Sequence, residues 1–291
     1  MNIVHIPVMR EEVLAALNIR DSGIYVDATA GLGGHAEGML QHASGCTVIG
    51  IDRDEQAIEI SRERLHHFQN VYLARESFSK MTTVVRGLGF EKVDGILLDL
   101  GVSTLHLKKE GRGFSFLKDE PLDMRMNRRQ GLTAEDVVNS YSEKDLADLI
   151  WRFGEERRSR RIAKAIVNRR RRQRITSCRE LAEVIEKATG RHGRIHPATR
   201  TFQAVRIEVN KELDELSAAL ESGVDLLHPG GRFCVLAYHS LEDRIVKTAF
   251  RKLAKEGLFT IITRKPLVPT REEQRSNPSS RSAKLRVGEK I

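Results

Sequence analysis

The chain has 291 residues, 40% of them hydrophobic, enough to bury a sizeable core as one large or two ordinary domains. No apolar run approaches the roughly 20 residues that span a bilayer, and the N-terminus lacks a cationic-then-apolar export pattern, so a soluble, cytoplasmic chain without a membrane partner is expected. A net charge of +9 and a pI near 9.6 point to a polyanionic partner, most commonly nucleic acid.

In chain order, a strand is expected over 24–29, a helix over 34–42 and a second strand over 47–52. Between the first strand and the helix runs Asp27-Ala28-Thr29-Ala30-Gly31-Leu32-Gly33-Gly34-His35. Glycines there let the backbone approach a ligand where a Cβ would clash, and the first N–H groups of the helix point at it. A Gly-rich turn also serves as a plain connection, so the combination with Asp52 matters more. A carboxylate ending the second strand, about 20 residues on, is placed to accept hydrogen bonds from ribose hydroxyls. A nucleotide-like cofactor site is the expectation.

Helices over 55–68 and 78–88 and strands over 71–75 and 93–100 continue the alternation. Runs such as Ile96-Leu97-Leu98 are apolar on both faces, as buried parallel strands are. The fold class is therefore α/β, a doubly wound sheet with ligands at the C-terminal strand ends. Phe78, just after the third strand, either contacts an adenine or begins the apolar face of the next helix. Asp99 closes the fourth strand and leads to Ser103; an unpaired carboxylate there would be costly, so packing does not account for it. Tyr238-His239-Ser240 brings polar groups to the same edge, although Ser240 before Leu241-Glu242-Asp243 also reads as a helix cap.

From about 107 to 210 no strand is evident. Thr133, Ser142 and Ser177 each precede acidic first turns and read as helix N-caps. The expected organisation is a discontinuous sheet domain, 1–106 with 211–291, carrying an inserted helical substrate domain at 107–210. Within the insertion, ten cations lie between Arg157 and Arg174, among them Arg169, Arg170 and Arg171, beside an apolar stripe of Ile162, Ala163, Ile166 and Val167. The pattern is an amphipathic helix whose arginine face is either simply solvated or contacts phosphates. Trp151 and Phe153 are expected in the core. Beyond the insertion come a helix over 211–227, a Pro229-Gly230-Gly231 turn, a strand over 232–237, a helix over 241–255, and a closing pair of strands over 259–263 and 283–287. Cys46, Cys178 and Cys234 are odd in number and widely spaced, with two expected inside strands, and read as reduced core thiols. The scattered histidines show no metal-ligand spacing, and no metal is expected.

Several long blocks carry a resemblance to a known family: His5 with Pro7-Val8-Met9, Asp27 through His35, Gly50 through Asp54, and Asp94 through Ser103. It continues through Arg112-Gly113-Phe114-Ser115-Phe116, Pro121 through Met126, Gly154 through Arg157, His196 through Arg206, and His239 through Arg244. The chain resembles, nearly end to end, the RsmH (MraW) family of S-adenosylmethionine-dependent methyltransferases. The resemblance implies a class I methyltransferase sheet with a helical insertion. It also implies methyl transfer to N4 of a cytidine in the decoding region of 16S rRNA, within the small ribosomal subunit. Gly33, Gly34, His35, Asp52, Phe78, Asp99 and His106 are the implied cofactor contacts. His106 follows Leu105 and stands where the family usually has Gln after Pro.

The exocyclic amine of cytosine is a poor nucleophile because its lone pair is delocalised into the ring. An enzyme must accept its N–H hydrogen bond and hold the nitrogen in line with the methyl donor; placement of this kind supplies up to about 7–11 kcal/mol. Asp99 and Ser103 are the catalytic candidates, though Asp99 is also able to serve the cofactor alone. Arg112, Arg125 and Arg200, the arginines 169–171, and Phe114, Tyr238 and His239 are candidate substrate contacts. Two rivals remain: a nicotinamide-dependent oxidoreductase, because Gly31, Gly33 and Ala36 fit a loose dinucleotide fingerprint, and a non-catalytic RNA-binding protein on the same fold. Whether the chain forms a homodimer is left open.

Overall fold

The computed structural model describes residues 6–102, 111–190 and 196–291. Two compact units emerge, Met1–Ser103 with Leu213–Ile291 and Thr104–Glu212.

The first unit is a seven-stranded sheet in the order β3-β2-β1-β4-β5-β7-β6, with β1 Ile24–Asp27, β2 Thr47–Asp52, β3 Val71–Arg75, β4 Val93–Asp99, β5 Leu227–Ala237, β6 Phe259–Ile261 and β7 Lys284–Lys290. The first five are parallel, and β7 runs antiparallel to β5 and β6. Alternate residues enter opposite faces of the sheet, the period of two that a strand imposes. Val26, Ile49, Ile96, Leu98, Phe233 and Val235 belong to one buried cluster, and Tyr25, Val48, Leu97, Cys234 and Leu236 to the other. Both faces are covered, which explains the continuous apolar runs of the central strands.

Three local expectations change. Pro229-Gly230-Gly231 does not stand outside the sheet: β5 runs through it, with a register shift against β4 between Val93 and Gly95. Residues 228–231 fall between Leu227, paired with Val93, and Arg232, paired with Gly95, and Gly230 has a φ of 79° within that stretch. The helix expected from Phe78 begins as a 3-10 turn, Phe78–Lys80, before α4, Met81–Gly87. Of the cysteines only Cys234 lies in a strand, because Cys46 precedes β2 and Cys178 opens a helix. All three thiols are free and buried, and burial pushes Cys46 up to about 11 and Cys178 up to about 12.

The helices of this unit begin with α1 Arg10–Leu17, α2 Gly34–His42 and α3 Glu55–Leu65. The second unit holds α5 Ala134–Ser140, α6 Glu143–Gly154, α7 Ser159–Arg170, α8 Cys178–Thr189 and α9 Thr199–Asn210, with no named strand among its described residues. Thr133 and Ser177 form reciprocal capping boxes with Asp136 and Glu180, and Ser142 caps through its hydroxyl. The α7 stripe of Ile162, Ala163, Ile166 and Val167 enters a separate core with Leu146, Ile150, Leu181 and Val205. The chain returns to the sheet through α10 Glu212–Leu226, followed after β5 by α11 Ser240–Lys255. No helix among the described residues is long and apolar enough to cross a membrane.

Candidate active site

The strand order reverses between β1 and β4, and acidic residues collect there. Asp27 ends β1, Asp52 ends β2 and Asp99 ends β4. Parallel pairing aligns these ends, which is why residues spread over 72 positions of sequence converge. The turn after β1 ties them together. The Thr29 N–H donates to Asp27 Oδ1 at 3.3 Å, and the Asp99 N–H donates to Thr29 Oγ1 at 2.6 Å. The Gly31 N–H donates to Asp52 Oδ2 at 2.9 Å, while the Asp54 N–H takes Asp52 Oδ1 at 2.8 Å. Asp52 thus braces the glycine turn, with both of its carboxylate oxygens engaged.

Gly33 and Gly34 lie where the turn enters α2. Gly33 has a φ of 77°, and a Cβ there would sit 3.2 Å from Ser61 Oγ and 3.3 Å from Leu65 Cδ1. The helix start is bare backbone held close to α3. His35, in the first turn of α2, is 4% exposed, and its Nε2 faces Asp99 Oδ2 at 3.5 Å. Among the described residues neither ring nitrogen has a hydrogen-bond partner, nor has Asp27 Oδ2. Burial is the main reason that the Asp27 carboxyl is pushed up to about 6; the charges of Asp99 and Asp52 add to the rise and His35 opposes it.

Tyr238, just past β5, donates its hydroxyl to Asp99 Oδ1 at 2.6 Å. Burial raises the phenol well above its ordinary value, and the adjacent Asp99 charge raises it further, so it remains a donor. The sequence offered Tyr238 as a substrate contact; the structure gives its polar end to the carboxylate. His239, not Ser240, is the N-cap of α11: its Nδ1 accepts the Glu242 N–H, and Glu242 Oε2 takes the N–H groups of Tyr238 and His239 at 2.8 and 3.2 Å. Phe78 is buried in the core, with the Arg53 guanidinium 5.5 Å over its ring. Ser103 and His106 lie outside the described residues.

In the second unit, several expected substrate contacts are engaged within the unit itself. Arg112 is 2% exposed and donates to the carbonyls of Arg125 and Met126. Arg125 grips both oxygens of Asp123 and the carbonyls of Arg128 and Gln130. Arg170 donates to the Val138 and Tyr141 carbonyls, Arg169 to Gln173 and Glu180, and Arg200 to the Glu155 carbonyl. Phe114 packs partly buried on the helical core. Arg157, Arg160, Arg161, Lys164, Arg171 and Arg172 are exposed. Spacing alone does not separate these groups, because a guanidinium that ties carbonyls together and one that meets solvent share one helical pattern. Trp151 is a correction: it is 55% exposed, while Phe153 packs on the core as expected.

Charge is segregated between the units. Residues 104–212 hold 26 lysines and arginines against 16 acidic residues, a net +10, leaving 23 against 24, a net −1, for the rest of the chain.

The five parallel strands, the reversed β7 inserted between β5 and β6, and an acidic, glycine-turned site at the switch point define a class I methyltransferase, whose cofactor is S-adenosylmethionine. The residues present suit that group: a glycine backbone cradle, a half-buried Asp52 for hydroxyls, and buried polar atoms on Asp27 and His35 that have no hydrogen-bond partner among the described residues. The MraW methylase family matches residues 2–291. Proteins called ribosomal RNA small subunit methyltransferase H are similar throughout. The one from Caldicellulosiruptor bescii is 48% identical over 99% of both chains, that from Clostridium botulinum 46% over the whole of both, and that from a Sulfurihydrogenibium species 45% over 99% of both. The chain belongs to the MraW methylase family.

Proposed function

We propose that this chain transfers a methyl group from S-adenosylmethionine to the exocyclic N4 amine of one cytidine in the decoding region of 16S rRNA, within the small ribosomal subunit. The names of its relatives support the rRNA substrate, and the net +10 of residues 104–212 supports an RNA-reading role for that unit. The observation that carries the chemistry is Asp99, a carboxylate fixed at the switch point with one oxygen bonded to Tyr238 and the other facing His35.

When bound, S-adenosylmethionine supplies an electrophilic methyl group on a sulfonium. Gly33, Gly34 and His35 would hold it through the turn and helix start, Asp52 through hydroxyls, and Phe78 through its ring. Asp99 accepts the N–H hydrogen bond of the target amine, which draws electron density to that nitrogen and favours its pyramidal form. Tyr238 fixes the carboxylate's rotation, so Asp99 meets the amine with one oxygen already committed. The exposed cations of α7 and the turns that flank it, Arg157, Arg160, Arg161, Lys164, Arg171 and Arg172, contact phosphates.

The test is methyl transfer from labelled S-adenosylmethionine to unmethylated small subunits, with naked rRNA, DNA and protein extract as parallel acceptors and the modified nucleoside identified by mass. Label on cytidine N4 in the subunits is expected, with loss of transfer but retained RNA binding in Asp99→Ala. Label on another nucleoside overturns the substrate; cofactor binding without label on any acceptor overturns the activity.

A further inference from the structure

Helix α6 buries Leu146, Ala147, Leu149 and Ile150 and lays Phe153 on the same core. Successive helical residues are turned by about 100°, so Trp151 falls off that stripe and stands 55% exposed. It is the chain's one tryptophan. The apolar face of α6 is complete without it, and the fold gains little burial from a large aromatic ring placed there.

Its surroundings are cationic. Arg152 is adjacent and exposed. Helix α6 ends three residues on at Gly154, which approaches α9 so closely that a Cβ would lie 2.5 Å from the Arg200 carbonyl oxygen. The Arg200 guanidinium donates to the Glu155 carbonyl at 3.2 Å, which holds it at the end of the helix that carries Trp151. Arg157, Arg160 and Arg161 follow, all exposed. The acids beside it in sequence are Asp148, one turn earlier on α6, and Glu155 and Glu156, of which Glu156 faces Arg200 at 3.7 Å. From Arg152 to Arg174 the chain has eleven cations and two acids.

We propose that Trp151 is a stacking platform for a single unpaired base of an RNA whose flanking phosphates are held by Arg152, Arg157 and Arg200. The cations by themselves hold any polyanion. The indole adds a flat face that an unpaired base can cover and that a base already stacked inside a duplex cannot reach without unstacking. The pairing of the two selects loops or bulges over continuous helix. This inference rests on the RNA reading given above.

A sole tryptophan is its own reporter. The full chain is titrated with a labelled RNA hairpin bearing an unpaired loop and with an RNA duplex of equal charge, and emission and RNA anisotropy are read on the same samples. The hairpin is expected to quench Trp151 in step with anisotropy, and the duplex to raise anisotropy without the quench. Trp151→Ala should bind the hairpin roughly tenfold more weakly and the duplex unchanged, and Trp151→Phe should restore most of the loss. Hairpin binding with unchanged emission and parental affinity in Trp151→Ala overturns the platform and leaves the indole to a protein partner. No anisotropy change with either RNA overturns the RNA reading, and the platform falls with it.

Discussion

Asp27 is held where an ionised carboxylate is expensive. Its Oδ2 has no hydrogen-bond partner among the described residues, and its pKa is raised to about 6 from 3.8. The unfolded chain ionises Asp27 near 4 and the native one near 6, so above about pH 6 the native state bears a penalty of up to about 3 kcal/mol. As the pH falls below 6 the native carboxyl takes up its proton and the penalty shrinks, vanishing below about 4. Asp27→Asn is therefore expected to stabilise the cofactor-free protein at pH 7.5, with the advantage shrinking as the pH falls from 6 towards 4. Denaturant unfolding of both proteins at several pH values measures this. An unchanged or lowered stability at pH 7.5 would contradict the burial argument. The same buried polar atoms are of the kind that suit a polar cofactor.

Pairing and connection of elements make the site more than a set of acids. The Asp99 main chain is tied to the turn after β1 through Thr29, and its side chain to the end of β5 through Tyr238, so three strand ends fix one carboxylate. Removing the hydroxyl alone leaves the ring in place and releases the carboxylate's rotation. Tyr238→Phe should lower kcat about tenfold, the scale of one positioned charge-assisted hydrogen bond, with KM for RNA within about twofold. Steady-state kinetics on the small subunit reads the split, and a change confined to KM would return Tyr238 to substrate binding. The helix caps at Thr133, Ser142 and Ser177 were legible from residue type and spacing, because capping is local chemistry. The β5 irregularity at Pro229-Gly230-Gly231 was not. These residues lie between Leu227, which pairs with Val93, and Arg232, which pairs with Gly95, and that register is set by a strand more than 100 residues away.

Across the whole molecule, charge is divided between the two units. One carries a net −1 and the acidic site; the other carries +10. Affinity for RNA is expected to follow the second. Reversing Arg160, Arg161 and Lys164 to Glu should weaken RNA binding and reduce the salt slope by about one for each phosphate no longer neutralised, with cofactor affinity unchanged. Binding isotherms at three or four salt concentrations decide this, and a parental slope would remove α7 from the RNA surface. Arg169 and Arg170 are less informative targets, since their guanidiniums hold the second unit together.

The sequence by itself determined the alternating sheet, the glycine turn after β1, the helix caps, the apolar stripes and the excess of positive charge, all consequences of periodicity, local chemistry or composition. It also marked Asp52 and Asp99 as acids closing apolar strands. That Tyr238 belongs to Asp99 and that His35 faces the same carboxylate came only from the tertiary structure, because these residues meet across long stretches of chain and residue type carries no record of its partner. The bracing of a loop by Arg112 and Arg125 is short-range in sequence but depends on the loop's backbone path, which residue type does not give either.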